Sequence, residues 1–460
     1  MEDFDVAIVG ARCAGASLAI ILARKGFRVC LIDRAHFPSE TPSTHIVQPS
    51  GVAILYDLVG PDAVLATGAV PLRKLTLVNE DVQLDGHIDP LRFPEPGLCM
   101  RRLTLDTLLV EAAARAGADV RTGCRAAGLV RNASDRVIGV ETNRGAVSAR
   151  LVVGADGRHS TVAETTGAAK YLVTPPGRLA AWAYFDAADR EGRLRLARVS
   201  EHAFLAAPAD NGLYMAAVTV DIARRHAFHA DRGPHFAAGL AQWPELADLL
   251  SGAEQVGPIR VIDNWHGYFR QSAGPGWVLV GDAGHFKDFT AGQGISDALR
   301  QARKLAKTIV AGFADDASMD DLLQRWWRWR DRDAYAMYWF AHDMGVPGVP
   351  TPLVTRMLRD IASDQSAVAQ FLGVMNHDLS PARLLTPGRM AKAAIRALRD
   401  RPDLAGATLR EIASAVKDQS HRAWHRAGHP SDQSRASTRS GSALSSFASA
   451  VSRSRRSTSA

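Results

Sequence analysis

Asp5–Val9 (DVAIV), then Gly10-Ala11-Arg12-Cys13-Ala14-Gly15, Ala16–Lys25 (ASLAIILARK), Gly26, Phe27–Ile32 (FRVCLI) and Asp33 form the stretch that decides the fold. The opening apolar run reads as a strand buried on both faces. The alanine- and leucine-rich segment reads as a helix that Gly26 stops. A second buried strand follows and ends at Asp33. Strand, turn, helix and strand in so short a span open a nucleotide-binding sheet. Gly10 and Gly15 take the first and last glycine places of GxGxxG, with Arg12 at the middle one. Glycine there normally lets the backbone approach a pyrophosphate. Arginine is bulky, but its charge can itself contact a phosphate. The helix N-terminus after the turn favours a pyrophosphate through its free N–H groups and dipole. Asp33, eighteen residues beyond Gly15, suits a ribose hydroxyl. The other reading of this unit is a plain βαβ layer.

Two further motifs sit at strand ends. Gly154-Ala155-Asp156-Gly157-Arg158-His159-Ser160 follows the run LVV. Gly281-Asp282-Ala283-Gly284-His285 follows WVLV and continues as Phe286-Lys287-Asp288-Phe289-Thr290-Ala291-Gly292-Gln293-Gly294-Ile295. Open α/β sheets bind ligands at such places. The third motif runs into a helix at Ile295, a second N-terminus able to face an anionic group.

Around these motifs the pattern is α/β. Leu72–Leu91 alternates like strands, Leu103–Ala116 reads as a helix, and Asp119–Val153 holds four strands. Ala180–Trp265 is mostly strand, interrupted by polar helices near Ile222–Ala230 and Pro234–Leu250. A helix covers Ile295–Ala311, and Asp320–Lys417 is helical with breaks at Pro347–Pro352 and Pro381–Pro387. The loop His36–Gly51 is rich in Pro, Ser and Thr.

The chain has 460 residues, 47% of them hydrophobic and 22% charged, which suits two or three globular domains. Its net charge is +7. Between His421 and Ala460 seven arginines face one acid, so six of those seven charges lie in a Ser/Arg-rich tail. The near-neutral body argues against nucleic-acid binding. Residues 427–460 read as disordered. No apolar run is long enough for a membrane span, and MEDFDVAIVG is no secretory signal. A cytoplasmic protein with no integral membrane association is expected. Cys13, Cys30, Cys99 and Cys124 show no CxxC spacing, and no metal-ligand or nucleophile-triad pattern stands out.

Together GARCAG, Asp33, GADGRHS and GDAGHFKDFTAGQGIS resemble the FAD-dependent aromatic hydroxylases of the p-hydroxybenzoate hydroxylase type. They also resemble the related geranylgeranyl reductases and flavin-dependent halogenases. The resemblance covers residues 5 to about 305. It implies a discontinuous Rossmann-like FAD-binding domain (1–71, 96–180, 268–315) and an inserted mixed β-sheet substrate domain (72–95, 181–267). A helical C-terminal region (316–420) and the basic disordered tail (421–460) follow. By the same resemblance, Gly10, Arg12, Ala14 and Gly15 line the FAD pyrophosphate. Asp33, with Arg34 beside it, holds the adenosine ribose. Arg102 of the RxxLD motif touches the flavin side, with Arg101 as its competitor. Asp156 holds FAD and is implicated in binding NAD(P)H. Gly281 and Asp282 bind the ribityl or pyrophosphate part, and Gly292, Gly294 and Ile295 lie along the isoalloxazine.

Four departures from the family pattern stand out: Arg12, Ala163 in place of the usual arginine, Phe289 for proline and Ser296 for asparagine. The resemblance further implies monooxygenation of an aromatic or polyketide-like small molecule. NAD(P)H, as transient donor, reduces FAD, and a flavin C4a-hydroperoxide passes oxygen to the substrate. A separate flavin reductase is an alternative electron source, and reduction of carbon–carbon double bonds is the alternative reaction. The WxWxIP stretch of the halogenases is absent; Trp326-Trp327-Arg328-Trp329 lies in a polar helix that reads as a packing element. His45 and His285 are the candidates for proton transfer, since imidazole titrates near neutrality. A structural hydrogen bond is the alternative for each. Lys287 faces either the flavin or solvent. Trp182, Tyr184, His202, Tyr214 and His266 are candidate pocket residues or core.

Overall fold

The computed structural model describes residues 3–186, 189–315 and 319–426. The opening strand, Asp3–Val9, lies at the centre of a parallel sheet, between Val29–Ile32 and Gly145–Gly154. The sheet continues to Asp119–Arg121 on one side and to Trp277–Leu279 on the other. All four of these pairings are parallel. Gly145–Gly154 serves two partners. Its first half pairs antiparallel with Val137–Thr142 and its second half lies beside the opening strand, so it runs beyond the Ser148–Val153 core read from the sequence. The helices Cys13–Ala23, Arg102–Arg115 and Gly294–Ala314 cover one face, and their apolar side chains merge with those of the sheet into one core.

A second sheet of seven strands contains Arg178–Phe185, Tyr214–Asp221, His202–Pro208, Arg193–Val199 and Lys74–Asn79 as consecutive neighbours, flanked by Gln255–Ile262 and Val82–His87. It is mixed. Arg193–Val199 and Lys74–Asn79 run parallel, and the other pairs are antiparallel. Arg178–Phe185 begins two residues before Ala180, where the strand-rich stretch is read to start. One face packs on short helices through Phe204, Trp243 and Phe228. The other faces the C-terminal helices Met319–Gly345, Pro352–Ala362 and Gln365–Met375 through Trp182, Leu196 and Phe371.

The proline breaks act as helix starts. Pro352 and Pro387 begin helices whose N-cap threonines, Thr351 and Thr386, accept from Val354 N and Arg389 N. The loop His36–Gly51 is shorter than it reads: Ile46–Val47 pairs with Leu98–Cys99, and Pro49 starts a helix. The last helix, Ala405–Arg426, runs into the segment assigned to the disordered tail. Residues 427–460, on which the disorder expectation rests, lie outside the described residues. No helix among the described residues is long and apolar enough to cross a membrane.

Candidate active site

One continuous cavity of about 770 Å³ runs from the Gly10 turn, past Asp33, Asp156 and Asp282, to the face of the second sheet. Its nucleotide end is shaped by close backbone packing. Gly10 has φ +102°, and a Cβ there would lie 2.4 Å from the Ala155 carbonyl oxygen. A Cβ on Gly15 would lie 1.8 Å from the Gly10 carbonyl oxygen, so this glycine seats the helix on the turn. Gly15 does its work in the packing, while Gly10 and Ala14 line the cavity. No side chain caps the helix Cys13–Ala23, which leaves its first-turn N–H groups for a ligand.

Arg12 takes an extended backbone, which any residue adopts. Its guanidinium is engaged within the protein: Nη1 lies 2.7 Å from Asp106 Oδ2, and Nη2 donates to Ser39 Oγ at 2.9 Å. Asp106, fully buried, also accepts from Arg102 Nη2 at 2.8 Å and from the Cys13 thiol. Asp106 was not singled out from the sequence, although it is the aspartate of the RxxLD motif. Arg102 lines the cavity. Arg101, its competitor, turns to Asp210, which accepts from its N, Nε and Nη2.

Asp33 accepts from Ala11 N and Ala35 N, both at 2.8 Å, and borders the cavity together with exposed Arg34. Asp156 accepts from Thr161 N at 2.7 Å through Oδ2, while Oδ1 is buried without a partner. Burial raises its carboxyl above the usual range, against the hydrogen bonds that pull it down. Gly281 and Asp282 line the cavity. Asp282 opens into the cavity yet is walled by protein, and burial pushes its carboxyl up to about 6, against the pull of Arg102 and Arg158.

The helix Gly294–Ala314 also begins without a side-chain cap, with Gly294 and Ile295 on the cavity wall. Gly292, left-handed at φ +60°, is not among the lining residues; its carbonyl accepts from Gln48 Nε2. Ser296 also ties this turn down, its hydroxyl accepting from Gln48 N at 2.8 Å. Lys287 faces the cavity and is 6% exposed. Its Nζ lies 2.7 Å from Asp297 Oδ2 and donates to Gln293 Oε1 at 2.6 Å. Burial alone would raise the Asp297 carboxyl, but Lys287, His377 and Arg300 hold it well below the usual range.

The two candidate histidines separate. His45 is 1% exposed, lies off the cavity wall, and places Nε2 2.8 Å from the Tyr184 hydroxyl. Burial, then Arg102, push it down to about 3. His285 does line the cavity, and its buried Nε2 has no partner. Burial, then Arg330, push it down to about 3 as well. Both are therefore neutral at physiological pH, and neither is a standing acid. Trp182 lines the cavity, Tyr184 supports His45, and Tyr214 and His202 pack away from it. The Trp-rich helix packs as expected. Trp326 and Trp327 are buried, and fully buried Arg330 reaches under the Gly281–His285 turn to Ser272 Oγ at 2.9 Å.

The donor set fits a dinucleotide: two uncapped helix starts, a glycine cradle, and an orphaned carboxylate oxygen on Asp156. An FAD binding domain model matches residues 3–337. The protein belongs to this FAD-binding family and is an FAD-dependent oxidoreductase of the monooxygenase type. It is 29% identical over 316 residues to 6-methylpretetramide 4-monooxygenase of Streptomyces rimosus, covering 65% of this chain and 73% of that one. It is 25% identical over 348 residues to digeranylgeranylglycerophospholipid reductase of Methanocella arvoryzae, covering 67% and 78%. Among solved structures, PqsL of Pseudomonas aeruginosa, a probable FAD-dependent monooxygenase, superposes with a TM-score of 0.66 at 20% identity, covering 80% of this chain and all of that one. The myxobacterial chondrochloren halogenase CndH gives 0.70 at 20% identity, covering 86% and 97%. These two structural matches speak for the fold alone.

Proposed function

We propose that the protein hydroxylates or epoxidises an aromatic or polyketide-like small molecule, with NAD(P)H as electron donor. The observation that carries this reading is the continuity of the cavity. The cleft bordered by Gly10, Asp33, Asp156 and Asp282 runs without a partition into a chamber walled by Trp182, Met215, Phe340 and Phe371. When bound, FAD supplies a centre that accepts two electrons from the nicotinamide and activates O2 for transfer of one oxygen atom.

The chain's own residues bind, orient and exclude water. Backbone N–H groups of the Arg12–Ala14 turn would hold the pyrophosphate, since those of Gly10 and Ala11 are taken by Ile32 O and Asp33, and Asp33 keeps lone pairs for a ribose hydroxyl. The free Oδ1 of Asp156 and the Asp282 carboxylate accept further hydroxyl donors. The helix start at Gly294 would place positive potential at the redox end, where negative charge develops, while the Lys287 ammonium is balanced by Asp297. His285, neutral, offers Nε2 as a hydrogen-bonding group rather than as a charge. The apolar chamber keeps water from the reacting oxygen.

A second reading, reduction of a carbon–carbon double bond, is favoured by the similarity to the Methanocella reductase. Rapid mixing separates the two. The FAD-loaded protein, reduced anaerobically, is mixed with oxygenated buffer and followed by absorbance. A transient species distinct from both oxidised and reduced flavin supports oxygen transfer. Direct return to the oxidised spectrum, even with aromatic ligands present, favours the reductase. Stoichiometric consumption of NADH or NADPH by the purified protein alone would exclude a separate flavin reductase.

A further inference from the structure

The chamber floor changes character along the second sheet. Leu77, Leu196, Leu205 and Ala217 form one row across four neighbouring strands. Two residues further along the same strands and on the same face, the row reads Asn79, Arg198, Ala203 and Thr219. Arg198, Thr219 and Asn79 all line the cavity. Beside Thr219 stands Arg178, 1% exposed, whose Nη1 lies 3.5 Å from the Thr219 hydroxyl.

Arg178 and Arg198 converge on one acceptor. Nη2 of each donates to the Val346 carbonyl, at 2.5 and 2.7 Å, and Arg198 Nη2 also reaches the Gly348 carbonyl at 2.9 Å. This fastens the turn after the helix Met319–Gly345 to the sheet. It uses little of the donor capacity of two guanidinium groups. Nε of both is buried and has no acceptor. Among the described residues, neither forms an ion pair; Asp288, Asp221 and Glu80 act on them only through space. Burial pushes Arg178 down to about 10, and the charge of Arg198 adds to the effect. A buried cation beside a half-buried one, neither with a counter-ion, is costly unless an anion joins them. Of the other buried arginines, Arg330 pairs with Asp331 and Arg195 with Asp189, while Arg270 lies over the Tyr268 ring and donates to the Ala283 carbonyl.

We propose that Arg198, backed by Arg178 and Thr219, is the anion subsite of the chamber, so that the substrate is an organic anion: an apolar ring body bearing one acidic group, carboxylate or ionised enol. This rests on the reading that the chamber takes the substrate. The acidic group sits at the Arg198 row and the ring body extends over the row that Leu196 and Trp182 share. The turn Val346–Gly348 closes over the charged end.

The test is an equilibrium titration that needs no turnover. The FAD-loaded protein is titrated with 2-naphthoate and with its neutral isostere 2-naphthamide, read by perturbation of the flavin absorbance. The naphthoate is expected to bind about tenfold tighter or more, the scale of a charge-assisted contact. In Arg198→Met the two affinities converge to within about twofold, through loss on the naphthoate side alone, while naphthamide binding and flavin content stay as they are. Arg198→Lys keeps a reduced preference for the carboxylate. Equal binding of the two ligands to the wild type, binding of neither, or a preference that survives Arg198→Met overturns the subsite. If the methionine variant does not retain flavin, Arg198→Lys decides, and an undiminished preference overturns it. Rapid mixing with oxygen uses no ligand, so failure of the oxygen-transfer reading and failure of the anion subsite are separate results.

Discussion

At the Gly10 end of the cavity most polar side chains are engaged by the protein before any ligand arrives, with Asp156 Oδ1 the exception. Asp33 bonds two backbone N–H groups, and Asp106 gathers Arg12, Arg102 and Cys13. At the far end the walls are apolar side chains from strands and helices distant in sequence, and the two arginines there have only carbonyl and hydroxyl partners. The first arrangement is rigid and shaped by backbone, and it tolerates little change. The second is shaped by side chains, so individual substitutions should alter what fits without dismantling the cofactor cleft. Substitutions at the two ends should therefore separate flavin retention from ligand preference.

The largest effect is expected for Gly10→Ala. A left-handed φ and a Cβ 2.4 Å from a backbone oxygen combine strain with overpacking, together costing about 3 kcal/mol or more. The purified variant should carry almost no flavin, read from its visible-to-ultraviolet absorbance ratio, and should melt well below the wild type. Normal flavin content would mean that the turn is softer than its packing implies. Next is Asp106→Ala, which strips two guanidinium groups of a fully buried partner. Breaking such pairs costs about 3 kcal/mol here, at the low end of the buried range because both arginines are partly exposed. Urea denaturation of the apoprotein measures it, and an unchanged midpoint would remove Asp106 as the organiser of this end.

Much of the cofactor cleft was legible in the sequence because its parts are local. A glycine that must admit a neighbouring carbonyl, an acid at a strand end and an uncapped helix start each leave a mark within a few residues. Gly10, Asp33, Asp156 and Gly281 are therefore recognisable in a linear reading. Arg102 against Arg101 was open in the sequence, because the choice depends on Asp210, which lies on a distant loop. The chamber was illegible for the same reason. Arg198 and Asn79 become neighbours only through a strand register that joins segments 119 residues apart. His45 misled in the opposite direction. It read as a candidate for proton transfer, with a structural hydrogen bond as the alternative, but a φ of +66° and the Tyr184 hydroxyl turn the ring into the wall.

That inward turn gives a pH signature. The folded pKa of His45, about 3, lies below the ordinary histidine value, so unfolding lets the imidazole take up a proton. Its contribution to stability is complete above about pH 6.5 and is lost as pH falls toward about 3. The slope is at most about 1.4 kcal/mol per pH unit. Asp282 and Asp288, raised to about 6 by burial, act with the opposite sign between about pH 4 and 6. The wild-type curve alone therefore conceals the histidine. The difference in stability between wild type and His45→Asn isolates it, and should shrink steadily from pH 7 to pH 4. A pH-independent difference would mean that His45 is accessible to protons in the folded state.

The smallest effect is expected where the sequence suggested a large one. Arg12 replaces the glycine over which a pyrophosphate normally passes, and its charge invited a phosphate contact. The guanidinium instead lies between Asp106 and the Ser39 backbone and hydroxyl, over the Phe37 ring. Its side chain is 25% exposed, so the pair with Asp106 is partly screened and contributes about 1 kcal/mol. Arg102 continues to neutralise Asp106 when Arg12 is removed. Arg12→Gly should therefore lower the melting temperature slightly and leave the Kd for FAD within about threefold of wild type. The added backbone freedom at the turn works in the same small range. A loss of FAD affinity of tenfold or more, with the fold intact, would show that Arg12 leaves Asp106 for the phosphate when the cofactor binds. The cofactor end would then share with the chamber the property of holding an arginine in reserve for an anion.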